Sequence, residues 1–197
     1  METVVINATS RKTSGTTASG QLRREGKVPC VLYSSEGNVP FCADPAELRN
    51  LLYTPKFKVA EIKLDDTVHR CILKEVQNHP VTDQVIHVDF LKLVKGKKVK
   101  VDVPVVLTGA AVGVKSGGKL VQRIRTVKVR SSSENIIPEL YLDVSQLDLG
   151  QTLRVRDIQP VSGVEIINPG STPVVGVEIP RALKSGMAEE AKEAVKK

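Results

Sequence analysis

The sequence contains no tryptophan, and aromatic residues make up only 3% of it. Its apolar fraction, 41%, is near the globular average but is dominated by Val and Ile, a mix that favours strands over helices. Cysteine is also scarce: Cys30, Cys42 and Cys71 are odd in number and widely separated. That spacing excludes a disulfide framework and paired thiolate ligands, and points to reduced thiols in a cytoplasmic protein. No apolar run approaches the roughly 20 residues a membrane helix needs. The opening METVVINA has an acid at position 2 and no basic region ahead of an apolar run, so no secretory signal is expected. G-x-S-x-G, the phosphate-cradling G-x-x-x-x-G-K-S/T and H-E-x-x-H are all missing, which removes the stronger catalytic signatures.

What is present is positive charge, and its location matters more than its sum. The formal net charge is +7, yet residues 95 to 130 alone hold ten Lys or Arg and a single acid, Asp102. A concentrated excess of this kind suits a polyanionic partner, and a solvated strand face accounts for it equally well. At 197 residues the chain is longer than a usual single domain and shorter than two large ones.

Along the chain, Val4 to Ala8 reads as a short strand, followed by the small, polar and basic run RKTSGTTASGQLRREG. Ser14 or Thr16 is expected to cap a helix there that Gly26 ends, with Leu22 as its one large apolar residue. Such a helix has little to bury, and Gly20 within it costs about 1 kcal/mol relative to Ala, so it needs another surface to lie against. Val28 to Tyr33 and Val39 to Ala43 form a predicted hairpin around a turn at 34–38. In DPAELRNLL, Asp44 caps a helix, Pro45 takes its first position, Glu47 completes a capping box, and Leu48, Leu51 and Leu52 make its apolar stripe. Phe57 to Leu64 and Thr67 to Val76 form a second hairpin around Asp65 and Asp66. In Val85 to Leu93, Ile86, Val88 and Phe90 point one way while His87 and Asp89 point the other. KGKKVK, Lys95 to Lys100, breaks the pattern and marks the expected domain boundary. Beyond it, VKVDVPVVL, RTVKVR, ELYLDV, TLRVRDI, GVEII and VVGVEI are short strands between Gly, Ser, Asn and Pro clusters, which predicts a mainly β second domain. Ser145 to Leu149 is expected to form a brief helical turn with Ser145 and Asp148 as a capping box. The expected organisation is a first domain over residues 1–95, a second over 96–181 and a flexible charged tail over 182–197.

The residues with chemical potential do not assemble into a catalytic or metal site in the sequence. Cys30 and Cys71 sit in strand-like runs, as small core residues do. His87 and Asp89 share a strand face and with His79 could offer metal ligands, but this does not fill a coordination shell. No catalytic residue, metal or cofactor is therefore expected. RNA contact fits better: a shallow RNA minor groove is met by Arg and Lys on phosphates and by short polar side chains on 2′-hydroxyls and base edges. Arg11, Lys12, Arg23, Arg24 and Lys27 cluster about the first helix, and Tyr33 can stack or donate a hydrogen bond.

The succession RK…LRREGKVPCVLY, VQNHP and HVDFLKL resembles the bacterial large-subunit ribosomal protein twenty-five in its longer form, also called the Ctc or general stress protein family. VPVVLTGAAVGVKSGG, DVSQLDLGQTLRVRDI and GVEI continue the likeness in the family's order, leaving out only the tail. The resemblance implies a six-stranded β-barrel that binds 5S rRNA, followed by a mainly β C-terminal domain; the chain as a whole would be mainly β with a few helices. It also implies a structural, non-enzymatic part in the large ribosomal subunit, with neighbouring ribosomal proteins as further partners and a monomer when free. The family's RNA-facing positions fall on Arg11, Lys12, Ser19, Arg23, Tyr33, Gln77, His87 and Asp89, with Arg24 beside them. An Asp repels phosphate, so Asp89 must accept hydrogen bonds from a base, a 2′-hydroxyl or a basic side chain. Its alternative task is to orient His87 or a nearby Arg.

The chain departs from the family where charge matters: Thr16, Gly20 and Gln21 stand at positions that are often basic, and Ser34 and Ser35 follow Tyr33 where Gly is common. Each lost phosphate contact flattens the log–log salt dependence by roughly 0.7 to 0.9. Two other readings remain at this point. One is a diverged, stress-associated paralogue acting as an interaction module off the ribosome; the other is a small enzyme or metal protein using Cys71, His79 or His87.

Overall fold

The computed structural model describes residues 2–11, 15–35, 37–65 and 67–180. The expected tail over 182–197, together with Lys12, Ser14 and Asp66, lies outside them. The chain divides into two compact units. The first runs to Val101 and takes in Ser131–Pro138; the second comprises Asp102–Arg130 and continues from Glu139.

Six strands build the first unit: β1 (Thr3–Ser10), β2 (Val28–Ser34), β3 (Gly37–Ala43), β4 (Val59–Leu64), β5 (Thr67–Asn78) and β6 (Val85–Lys92). They close into a barrel in the order β1-β3-β2-β6-β5-β4. The hairpins β2–β3 and β4–β5 are antiparallel and local in sequence. Closure depends on two long-range parallel pairings, β1 with β4 from Thr3↔Val59 to Ala8↔Leu64, and β2 with β6 from Cys30↔Val88 to Tyr33↔Leu91. Alternate residues point inward, so Val28, Cys30 and Leu32 of β2 meet Val88 and Phe90 of β6 in one core with Ile6, Phe41 and Ile62. A closed barrel leaves no unpaired strand edge.

Two helices accompany these strands. In α1 (Thr16–Arg24) no residue is buried, in keeping with a segment whose only large apolar side chain is Leu22. Thr16 is not its cap: Gly15 stands at the N-cap with φ 129°, and no side chain among the described residues caps the helix. Its C-terminal end does close at Gly26, where φ is 78°. The second helix, α2 (Pro45–Leu52), starts after Asp44 with Pro45 in its first turn and buries Leu48 and Leu51. The expected capping box does not form. Asp44 makes no side-chain cap bond, and the Glu47 carboxylate instead accepts from the backbone N–H of Asn7 at 3.3 Å and from its Nδ2 at 3.1 Å. A charged acceptor gains more from two donors on β1 than from one amide of its own helix.

Beyond the barrel lie β7 (Lys98–Thr108), α3 (Val112–Lys115), β8 (Lys119–Gln122), β9 (Thr126–Ser132), β10 (Leu140–Asp143), β11 (Thr152–Arg154), a 3-10 turn at Val155–Asp157, β12 (Val164–Ile166) and β13 (Pro173–Glu178). They form a sheet in the order β10-β7-β9-β12 and another in the order β11-β13-β8. This is the mainly β architecture expected, with α3 and β8 as elements the sequence did not announce. No helix forms at Ser145 to Leu149. Ser145 donates both its N–H, at 2.9 Å, and its hydroxyl, at 2.6 Å, to Oδ1 of Asp143, and Asp148 Oδ1 accepts the N–H of Leu149. These local bonds compete with helix formation, as short polar side chains do. No helix among the described residues is long and apolar enough to cross a membrane.

Close approach explains the short α3. A Cβ on Gly113 would lie 2.7 Å from the carbonyl carbon of Asp148 and from the amide nitrogen of Leu149, both backbone atoms that cannot swing aside. Gly113→Ala is therefore expected to lower the stability of the second unit by about 1–3 kcal/mol through overpacking. Urea unfolding monitored by hydrogen exchange in β8, β11 and β13 checks this, and an unchanged midpoint would contradict it.

Candidate nucleic-acid interface

Strand β6 turns Val88 and Phe90 into the core and leaves His87 and Asp89 on the outer wall. Their side chains are 20% and 14% exposed, which leaves them recessed but reachable from solvent. Nδ1 of His87 lies 3.3 Å from Oδ1 of Asp89. The approach is within ion-pair range but lacks hydrogen-bond alignment, so this shielded Oδ1 has no hydrogen-bond donor. A buried carboxylate oxygen with unused acceptor capacity is costly unless something supplies a donor.

Neighbouring strands complete the patch. Gln77, exposed on β5, stands directly opposite His87, and Glu75 stands opposite Asp89 across a register shift between Leu73 and Glu75. On the other side Val31 pairs with Asp89, and Tyr33, two residues on and on the same face, is 37% exposed. The charge of Asp89, then partial burial and a hydrogen bond to Asp89, raise the Tyr33 phenol above its ordinary pKa, with Glu75 adding to the effect. The phenol stays protonated and neutral across the physiological range.

Two arginines tie α1 to this region. Nε of Arg23 donates to the carbonyl of Ile86 at 3.2 Å, which brings the helix end beside His87. Nη1 of Arg11 donates to Oγ of Ser19 at 3.2 Å, while Nε of Arg11 is buried without a partner among the described residues. Arg24 is exposed in the last turn of α1, where a cation also complements the helix dipole. Tyr33, Gln77, His87 and Asp89 thus form one patch, Arg23 joins it through Ile86, and Arg11 and Ser19 are joined to each other. Lys12 is outside the described residues. Glu75 was not singled out from sequence because the register shift in β5 conceals which residue faces Asp89. Of the basic residues farther along, Arg123 and Arg130 pair with Glu178 and Glu165, each at 3.2 Å.

The remaining candidates have other occupations. His79 accepts the backbone N–H groups of Val81 and Thr82 at Nδ1, at 3.3 and 3.2 Å, and so shapes the turn after β5. No cluster of three or more His, Cys, Asp or Glu among the described residues is placed to hold a metal. Cys30 and Cys71 are buried and donate to the carbonyls of Val28 and Ala60. Burial pushes the Cys30 thiol up to about 12 and raises Cys71 as well. Both are thus protonated when folded and ionise earlier when unfolded, so their contribution to stability is full below the ordinary thiol pKa and declines as pH rises beyond it.

The sequence matches two family models. The model described as the ribosomal L25p family covers residues 6–90, and that described as ribosomal protein TL5, C-terminal domain, covers residues 98–181. A protein of Amoebophilus asiaticus named large ribosomal subunit protein bL25 is 38% identical over 189 residues, 96% of either chain. A protein of Phocaeicola vulgatus with the same name is 38% identical over 200 residues, covering 98% of this chain and all of its own. One of Bacteroides fragilis is 41% identical over 173 residues, 87% of each.

Proposed function

The chain belongs to the ribosomal L25p family, and from that premise we propose that it is a structural component of the large ribosomal subunit which docks on 5S rRNA through the outer wall of its barrel. The observation that carries this reading is the patch of Tyr33, Gln77, His87 and Asp89 with Arg23 bonded beside it. Its side chains divide the work as RNA recognition requires. Arg11, Lys12, Arg23 and Arg24 supply cations for phosphates, while Ser19, Gln77, His87 and Asp89 offer hydrogen bonds to base edges and 2′-hydroxyls. The unsatisfied Oδ1 of Asp89 and Nε of Arg11 fit groups that await partners from outside the chain. In this reading residues 1–95 recognise the RNA, and residues 96–181 brace the protein on neighbouring RNA or protein.

Titration of 5S rRNA with the full chain across a salt series tests the proposal. With four basic side chains on phosphates, log K is expected to fall linearly with log salt, with a slope of roughly −3. Absent or salt-insensitive binding would remove the reading. The reduced charge of α1 favours a second possibility, a diverged module acting off the ribosome. Thr16 and Gln21 are exposed there, and Gln21 is bonded to Glu25 at 3.1 Å. Sucrose-gradient fractionation distinguishes the two, because the off-ribosome module would stay out of the large-subunit fractions.

A further inference from the structure

Past Asp89 the outer wall of β6 continues into a groove of about 270 Å³ that lies entirely within the first unit. Tyr33 and Leu91, paired across β2 and β6, form one side, and Val94 and Val99 form its apolar floor. Lys97 and Lys98, both exposed, stand at the rim. They are set there by a turn in which the Lys97 N–H donates to the Val94 carbonyl at 3.3 Å and Gly96 takes φ 79°. We infer that this groove receives one unpaired nucleotide, its base against the Tyr33 ring and the apolar floor and its phosphate on Lys97 and Lys98. The inference rests on the RNA-docking reading above and specifies what the RNA presents next to the patch.

Three observations select this occupant. The surface combines an aromatic face, an apolar floor and cations, which is what a single nucleotide needs and what a purely aliphatic ligand would not use. The stretch that supplies the floor and rim carries charge of one sign: residues 90 to 101 hold five Lys and no acid. The carboxylates that act on Tyr33, Asp89 and Glu75, belong to the patch beyond the ring, so a phosphate is directed toward the lysines and away from them. The groove is also small beside the roughly 300–1,000 Å³ of sites for drug-sized ligands, which suits one base better than a folded segment. Because Tyr33 belongs both to the groove and to the patch, a helix lying on His87 and Asp89 would bring a nucleotide extruded at its end to this place.

The test uses the full chain and two RNA duplexes cut from 5S rRNA, one fully paired and one carrying a single extrahelical 2-aminopurine. The bulged duplex is expected to bind about tenfold more tightly, with quenching of the 2-aminopurine fluorescence by stacking. Lys97→Gln with Lys98→Gln is expected to abolish most of that advantage and to lower the salt slope on the bulged duplex by roughly 1 to 1.5, leaving the paired duplex nearly unaffected. Val94→Trp, which fills the groove, is expected to remove the quenching. Equal affinity for the two duplexes without quenching overturns the groove assignment and leaves the docking reading standing. Failure of both duplexes to bind overturns the docking reading with it. Binding of an acidic peptide at Lys97 and Lys98 that the bulged duplex does not compete away would assign the groove to a protein neighbour and overturn the inference.

Discussion

Phe90→Ala is expected to lower the stability of the first unit by about 3–5 kcal/mol, the usual cost of emptying a buried aromatic site. Phe90 is fully buried and lies 5.8 Å, centroid to centroid, from the equally buried Phe41, the rings inclined at 39°. These are two of only three phenylalanines in the chain, so little aromatic volume is at hand to fill the gap. The loss also reaches the surface, because Phe90 fixes the inward face of the same strand that presents His87 and Asp89 outward. Hydrogen exchange followed unit by unit checks the effect. The barrel strands should lose protection, with an apparent fall in Tm of roughly 15–30 °C, while β11 and β13 keep theirs. A shift of less than 1 kcal/mol would mean that the barrel core is not held by this ring pair.

Arg11→Ala combined with Arg23→Ala is expected to weaken 5S rRNA binding by roughly a hundredfold at fixed salt, since each change removes a charge-assisted contact, and to reduce the salt slope by about 2. The same pair has a second consequence without RNA. Among the described residues α1 buries no side chain and has no side-chain cap, and Arg23 to Ile86 and Arg11 to Ser19 are polar ties from it to the rest of the chain. Removing both should expose the amides of Thr16–Arg24 to rapid exchange, as for an isolated short helix. Arg24→Ala is the control: it removes an exposed cation and should lower the slope by about 1 while leaving exchange in α1 unchanged. Retention of affinity within twofold in the double variant would show that α1 does not face RNA.

Much of the fold was legible because the barrel strands carry their instruction locally. Alternation in Val85 to Leu93 placed His87 and Asp89 opposite Val88 and Phe90, and the two hairpins lay where turn residues marked them. The closing pairs β1–β4 and β2–β6 were not readable from periodicity, since no local pattern says which distant strand a parallel partner will be; the family likeness supplied a six-stranded barrel but not its pairings. The two expected capping boxes failed for one shared reason. Glu47, Ser145 and Asp148 all have better or nearer partners than the helix amides assigned to them, namely Asn7, Asp143 and Leu149. The strand KLVQ offers two apolar residues between polar ends, and VGVK has glycine and valine where helix formers are expected, so β8 and α3 depend on tertiary contacts. For the interface, the polar identity of the residues was legible and their contacts were not. The bond from Arg23 to a backbone carbonyl 63 residues away has no signature in spacing.

The first unit is discontinuous in sequence. Ser133 donates its N–H to the Lys97 carbonyl, Phe57 donates to the Pro138 carbonyl, and Ile136 is buried, so residues 131–138 are built into a unit whose barrel strands end at Lys92. During translation the six barrel strands emerge first, but the piece that completes the unit arrives only after β7, α3, β8 and most of β9 have been synthesised. A nascent chain stalled before residue 131 would thus carry an unfinished first unit, and its maturation would be timed by the ribosome's progress through the following domain.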